Sequence, residues 1–66
     1  MRVFVNGEAR DLPDGATVET LLVALAIDRR RIAVERNLEI VPRAAHATTP
    51  LAEGDRVEIV TMVGGG

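Results

Sequence analysis

Thr17-Val18-Glu19-Thr20-Leu21-Leu22-Val23-Ala24-Leu25 is the stretch that decides how this 66-residue chain folds. Val18, Leu21, Leu22 and Leu25 fall at i, i+3, i+4 and i+7, a spacing that gathers apolar side chains on one face of an α-helix. Glu19 and Thr20 lie off that stripe. Thr17 is suited to cap the helix, and Glu19 puts an acid in the first turn, where the helix dipole favours it. The pattern predicts a helix from Thr17 to near Ile27, ended by Asp28 and the three arginines Arg29, Arg30 and Arg31.

On either side of the helix the period changes to two. Arg2-Val3-Phe4-Val5 alternates and runs into Asn6-Gly7, a dipeptide suited to a tight hairpin turn. Glu8 to Leu12 is the returning strand, broken by Pro13-Asp14-Gly15. After the helix, Ile32 to Arg36 reads as a third strand and Asn37-Leu38-Glu39 as a turn. Ile40-Val41 is a short strand stopped by Pro42, which suits a sheet edge. Arg43 to Thr49 is small and polar, a loop or short helical turn, and Val57 to Val63 is the last strand. A single amphipathic helix among strands must lay its stripe on one face of one sheet. The expected class is therefore α+β: a sheet of four to five strands packed on one main helix, over residues 1–63.

Composition narrows the function classes. A chain this short buries only about 60% of the surface its unfolded form exposes. It has no cysteine, so neither a disulfide nor a thiolate metal site can staple it, and one histidine builds no metal site. His46 reads as a surface loop residue with no role. A 47% hydrophobic content with a single Phe and no Tyr or Trp implies a small aliphatic core. A net charge of −2 argues against a nucleic-acid binder. Arg29 to Arg31, between Asp28 and Glu35, reads as a solvated loop. No apolar run approaches the roughly 18 residues of a membrane span, and Met1 to Arg10 has no signal-peptide core. The chain is expected to be cytoplasmic. Every base is arginine. Genomic composition explains that, and so would a need to keep amines away from an activated acyl group.

The chemistry sits at the end of the chain. Gly64, Gly65 and Gly66 follow the last strand directly. Glycine is poor material for finishing a strand, because it loses the most backbone freedom on ordering and buries no side chain. Such a tail is either fraying or a cloning remnant, or a thin tether without Cβ atoms that carries the α-carboxylate of Gly66 into a narrow site. Within the body, alternation points Val3, Val5, Val57 and Ile59 to the helix, and Phe4, Glu58, Val60 and Met62 to the other face. A solvent-facing sheet surface should be polar. If the first and last strands are neighbours, Phe4, Val60 and Met62 form a candidate partner-docking patch at the root of the tail, unless a loop covers them. No nucleophile–base pair, carboxylate pair or phosphate-cradling loop is apparent, so no residue is assigned a catalytic role.

These elements together resemble the β-grasp, or ubiquitin-like, superfold, and within it the ThiS family of sulfur carriers in thiamine biosynthesis. The likeness rests on Asn6-Gly7, on Thr17-Val18 with Leu21-Leu22, and on Asn37 with Ile40-Val41-Pro42-Arg43. Gly54-Asp55 and the terminal Gly65-Gly66 complete it. It covers essentially the whole chain, with Gly64 as an extra length of tether. The resemblance implies a mixed sheet and a protein cosubstrate rather than an enzyme, with no cofactor of its own. A ThiF-like adenylyltransferase would use Mg·ATP to activate the Gly66 carboxylate. Sulfur taken from cysteine by a desulfurase would convert it to a thiocarboxylate, and a ThiG-like thiazole synthase would receive the sulfur. The small subunit of molybdopterin synthase and ubiquitin-like protein modifiers share the terminal glycines and are the near alternatives. A non-covalent β-grasp docking module, acting through Phe4, Val60 and Met62 with an inert tail, is the alternative of a different class.

Overall fold

The computed structural model describes residues 1–62; Val63 and the predicted tail Gly64, Gly65 and Gly66 lie outside the described residues. The strands are β1 (Arg2–Val5), β2 (Glu8–Asp11), β3 (Ile32–Arg36), β4 (Glu39–Val41) and β5 (Arg56–Thr61). One α-helix, α1 (Val18–Ala24), follows β2, and 3-10 turns occupy Arg29–Arg31 and Arg43–Ala45. The strands form one sheet in the order β2-β1-β5-β3-β4. The β1–β5 pair is parallel and the other three pairs are antiparallel, so the sheet is mixed. The expected α+β class, with five strands on one helix, is what the chain adopts. The last strand lies in the centre, with β1 on one side and β3 on the other.

Both hairpins close through two residues with positive φ, the backbone twist that matches paired antiparallel strands. Asn6 (φ 50°) and Gly7 (φ 85°) join the facing residues Val5 and Glu8. Asn37 (φ 51°) and Leu38 (φ 70°) join Arg36 and Glu39, one residue tighter than the turn read from sequence. Asn6 also extends the sheet with its side chain. Its Oδ1 accepts the Ile59 N–H at 2.8 Å and its Nδ2 donates to the Ile59 carbonyl at 3.1 Å.

The helix begins where expected and ends sooner. The Thr17 hydroxyl accepts the Thr20 N–H at 3.2 Å, and the Thr20 hydroxyl accepts the Thr17 N–H at 3.1 Å, a reciprocal cap. At the other end Ala26 turns left-handed, with φ 56°. Its N–H reaches the Val23 carbonyl and the Ile27 N–H reaches Leu22, each at 3.0 Å, a Schellman closure. The helix therefore stops at Ala24 instead of running to Ile27. Val18, Leu21 and Leu22 are fully buried, in one cluster with Val3, Val34, Val41 and Val57, and Leu25 and Ile27 pack at its margin.

His46 corrects the sequence reading. It is not a surface residue but only 2% exposed. The 3-10 turn at Arg43–Ala45 folds the following loop back against the start of α1, where the His46 carbonyl accepts the Glu19 N–H at 2.9 Å. The ring donates from Nε2 to the Val41 carbonyl at 3.2 Å, and Nδ1 is buried without a partner in the described structure. Asp55 is the other buried polar residue. Its carboxylate accepts from Arg36 Nε and the Ala52 N–H, each at 2.8 Å, and from Asn37 Nδ2 at 3.0 Å. This ties the turn after β3 and the loop before β5 to the start of β5. Burial pushes the Asp55 carboxyl up, but the bonds from Arg36, Ala52 and Asn37 outweigh it and leave it below its ordinary value.

Candidate functional site

The geometry that matters is at the far end of β5. Thr61 pairs with Ile32, the first residue of β3, and the Met62 N–H continues the ladder to the Arg31 carbonyl at 2.8 Å. Residue 62 is thus held against the turn Arg29–Arg31, and the predicted tail follows directly from that point. Among the described residues, the tail root is the place where an apolar stripe, a cationic turn and a chain exit converge.

The stripe lies on the sheet face away from α1. Phe4, Val60 and Met62 are 37%, 56% and 51% exposed and do share that face. Register divides them. Phe4 is level with Arg56, four residues before Val60, so the two stand about 13 Å apart along the sheet. Phe4 lines a separate shallow hollow with Gly7, Arg56 and Glu58. Val60 instead faces Ala33 on β3, and Ile40 on β4 faces Glu35, two residues along β3 from Ala33 on the same face. Ile40 is 73% exposed. At the end of β5 the apolar side chains of this face are therefore Ala33, Val60 and Met62, with Ile40 further back, level with Glu58. Pairing, not local pattern, places Ile40 opposite Glu35 on that face.

The cationic turn is more structured than a solvated loop. Asp28 caps it, accepting the Arg30 N–H at 3.0 Å and Arg30 Nε at 3.1 Å. The Arg30 side-chain and backbone bonds hold the Asp28 carboxyl down at about 2. Arg29 pairs with Glu19 of α1 at 3.2 Å rather than with Glu35. Arg43 reaches in from the loop after β4 and donates from Nη2 to the Arg30 carbonyl at 3.0 Å. Arg29, Arg30, Arg31 and Arg43 therefore lie on, or bond to, the turn whose backbone holds Met62.

Among the described residues, this arrangement gathers an apolar stripe and arginines at the end of β5 rather than a set of reacting side chains. Residues 3–66 match the family model described as ThiS family. The chain belongs to the ThiS family. That span includes the three glycines and every element described above except the first residue of β1. The sulfur carrier protein ThiS of Thermus thermophilus is 34% identical over 64 residues, 97% of this chain and 98% of that one. A solved ThiS thiamine biosynthesis protein from Geobacter metallireducens superposes with a TM-score of 0.86 at 33% identity, over 100% of both chains. It carries the same β-grasp fold. A thiazole synthase of Paramagnetospirillum magneticum is 48% identical over 66 residues, 100% of this chain but 20% of its own length. The chain spans about a fifth of the thiazole synthases it matches. Relatives of matching length are named sulfur carrier protein ThiS, and the solved relative is described as a thiamine biosynthesis protein. No described helix is long and apolar enough to cross a membrane.

Proposed function

We propose that this protein carries sulfur as a thiocarboxylate on Gly66 and delivers it for thiazole formation in thiamine biosynthesis, in the cytoplasm. The observation that carries the reading is the continuity of the family match through residue 66, behind a strand fixed on both sides at the centre of the sheet. An α-carboxyl titrates at about 3.3–3.7, so at neutral pH Gly66 offers an anionic oxygen nucleophile. An adenylyltransferase of the ThiF kind, working with Mg·ATP, would direct that oxygen at the α-phosphate, forming the acyl-adenylate and releasing pyrophosphate. Sulfide sulfur then attacks the acyl carbon. The new C–S bond forms as the bond to AMP breaks, leaving the thiocarboxylate. In the cell a desulfurase would supply the sulfur from cysteine. Gly64 and Gly65 would give the acyl group access, since a Cβ on either widens the tether. The Val60 and Met62 surface, with Phe4 as an outlying contact, would rest on the partner during transfer. The matching stretch within longer proteins called thiazole synthase supports such an enzyme as the sulfur acceptor.

Intact-mass analysis tests the reading directly. After incubation with the adenylyltransferase, Mg·ATP and sulfide, the protein should gain the mass of one sulfur-for-oxygen exchange, localised to Gly66. A variant lacking Gly66 should gain nothing. Thiazole should then form when thiazole synthase and its other substrates are added. An unchanged mass, or a Gly66 deletion that still supports thiazole formation, would refute the proposal. A charged carrier that feeds only molybdopterin synthase would redirect it to the other pathway.

A further inference from the structure

We propose that Arg29, Arg30, Arg31 and Arg43 form a cationic collar that docks against an acidic mouth on the adenylating enzyme. This surface is distinct from the apolar stripe, and the inference rests on the carrier reading above.

The first support is charge placement. The chain has ten acids and eight arginines, yet four of those arginines gather at the tail root, where only Glu19 and Asp28 pair with them. The other four, Arg2, Arg10, Arg36 and Arg56, share the remainder of the molecule with eight acids. A protein of net charge −2 is therefore polarised, with its positive end where the tail leaves. Arg31 and Arg43 have no acidic partner among the described residues.

The second support is how the collar is built. Arg29–Arg31 is not a loose run. Asp28 caps it, Arg43 bonds to its backbone, and the Arg31 carbonyl holds Met62. Hydrogen bonds therefore join the collar to the tail root.

The third support is reach. Four residues lie beyond Met62, and fully extended they span at most about 14 Å. When the Gly66 carboxylate reaches an active site, the collar must be at the entrance of that site. A basic entrance would repel it, and a neutral one would desolvate arginines without return. The adenylating site also holds a polyanionic nucleotide, whose field draws a cationic end forward. A nucleic acid or an anionic membrane fits less well, because the acid-rich remainder of so small a body would lie close to the same polyanion.

Steady-state pyrophosphate release by the adenylyltransferase tests this. The double variant Arg31→Glu/Arg43→Glu should raise KM for the carrier about tenfold at low salt while leaving kcat unchanged, and high salt should erase most of the difference. Arg2→Glu/Arg56→Glu, which alters the end where β5 begins by the same charge, should leave KM nearly unmoved. Arg43→Glu removes the bond to Arg30, so Arg31→Glu alone serves as the check, with about a threefold rise in KM expected. Equal losses from both pairs, an unchanged KM, or a defect confined to sulfur transfer onto thiazole synthase would overturn the inference. So would retention of the native protein, but not the double variant, on heparin or phosphatidylserine vesicles at physiological salt. Absence of pyrophosphate release from the native protein at any salt would instead overturn the carrier reading, and this inference with it.

Discussion

Ala26→Gly should make the protein more stable, and the same substitution two residues earlier should make it less so. Ala26 sits at φ 56° in the Schellman closure of α1, the position where glycine usually stands. A Cβ in the left-handed region costs about 1–2 kcal/mol. Removing it recovers that cost, while the extra freedom glycine gives the unfolded chain takes back roughly 0.4–1 kcal/mol. Ala26 is exposed, so no buried apolar surface is lost. The expected net is a gain of about 0.5–1 kcal/mol, or roughly 3–6 °C in Tm for a domain of this size. Ala24 is also exposed but lies in the last helical turn. Glycine there brings only the entropic penalty, about 0.5–1 kcal/mol of destabilisation. Urea titrations followed by circular dichroism, read at equal m-values, give both numbers. The opposite signs are the substance of the test. If Ala26→Gly destabilises alongside Ala24→Gly, residue 26 is not in the left-handed cap and the helix runs on as its apolar spacing suggested.

Three further substitutions probe the core and the half-buried Arg36–Asp55 ion pair. Leu21 is fully buried and Val23 is 69% exposed, two residues apart on one helix. Leu21→Ala should cost about 2–5 kcal/mol, a large part of the total stability of so small a domain, while Val23→Ala should stay within about 0.5 kcal/mol. Similar shifts in urea midpoint for the two would contradict the assigned face. Asp55→Asn should cost about 1–3 kcal/mol at neutral pH, because an amide nitrogen replaces an acceptor facing Arg36 and the Ala52 N–H. The Asp55 carboxyl is held below its ordinary value of 3.8, so its contribution is complete above that pH and is lost as pH falls through the lower folded-state value. The gap between native protein and variant should therefore be full at neutral pH and shrink in acid. A gap that does not change with pH would mean that shape, not charge, sets the cost.

The parts of the fold that were legible are those written in local pattern. Ile32 to Arg36 was read to the residue because its β-branched alternation is bounded by the arginine turn and by Asn37. Asn6-Gly7 announced a hairpin because few dipeptides tolerate two positive φ angles in succession. The misreadings share a different cause. The helix end rests on an alanine performing a glycine's role, which no composition rule signals. His46 is buried by a loop that meets the helix start some 27 residues earlier in the chain. Alternation put Phe4, Val60 and Met62 on one face, as found, but the spacing between Phe4 and Val60 depends on register between strands far apart in sequence. The arginine turn looked like solvated punctuation because its contact with Met62 spans half the chain.

The position of β5 connects fold and function in a way that neither pattern nor register shows alone. This strand is the last to be made, yet it fills the slot between β1 and β3, and Val57 is almost wholly buried under the helix. Without it the sheet falls into two hairpins, each too small to be stable in water, and the apolar face of α1 has no continuous surface to cover. Pairing β5 requires contacts across some 50 residues, with Asn6 bonding Ile59 on one side, while Arg31 holds Met62 on the other. The stripe of Ala33, Val60 and Met62 and the collar at Arg29–Arg31 come into register with the tail root only when those pairings are made. A partner that reads this composite surface, and not the glycines alone, therefore engages the folded protein and ignores an unfolded chain ending in the same residues. On the proposed carrier reading the tail supplies reach, and the central strand makes its presentation conditional on a completed fold.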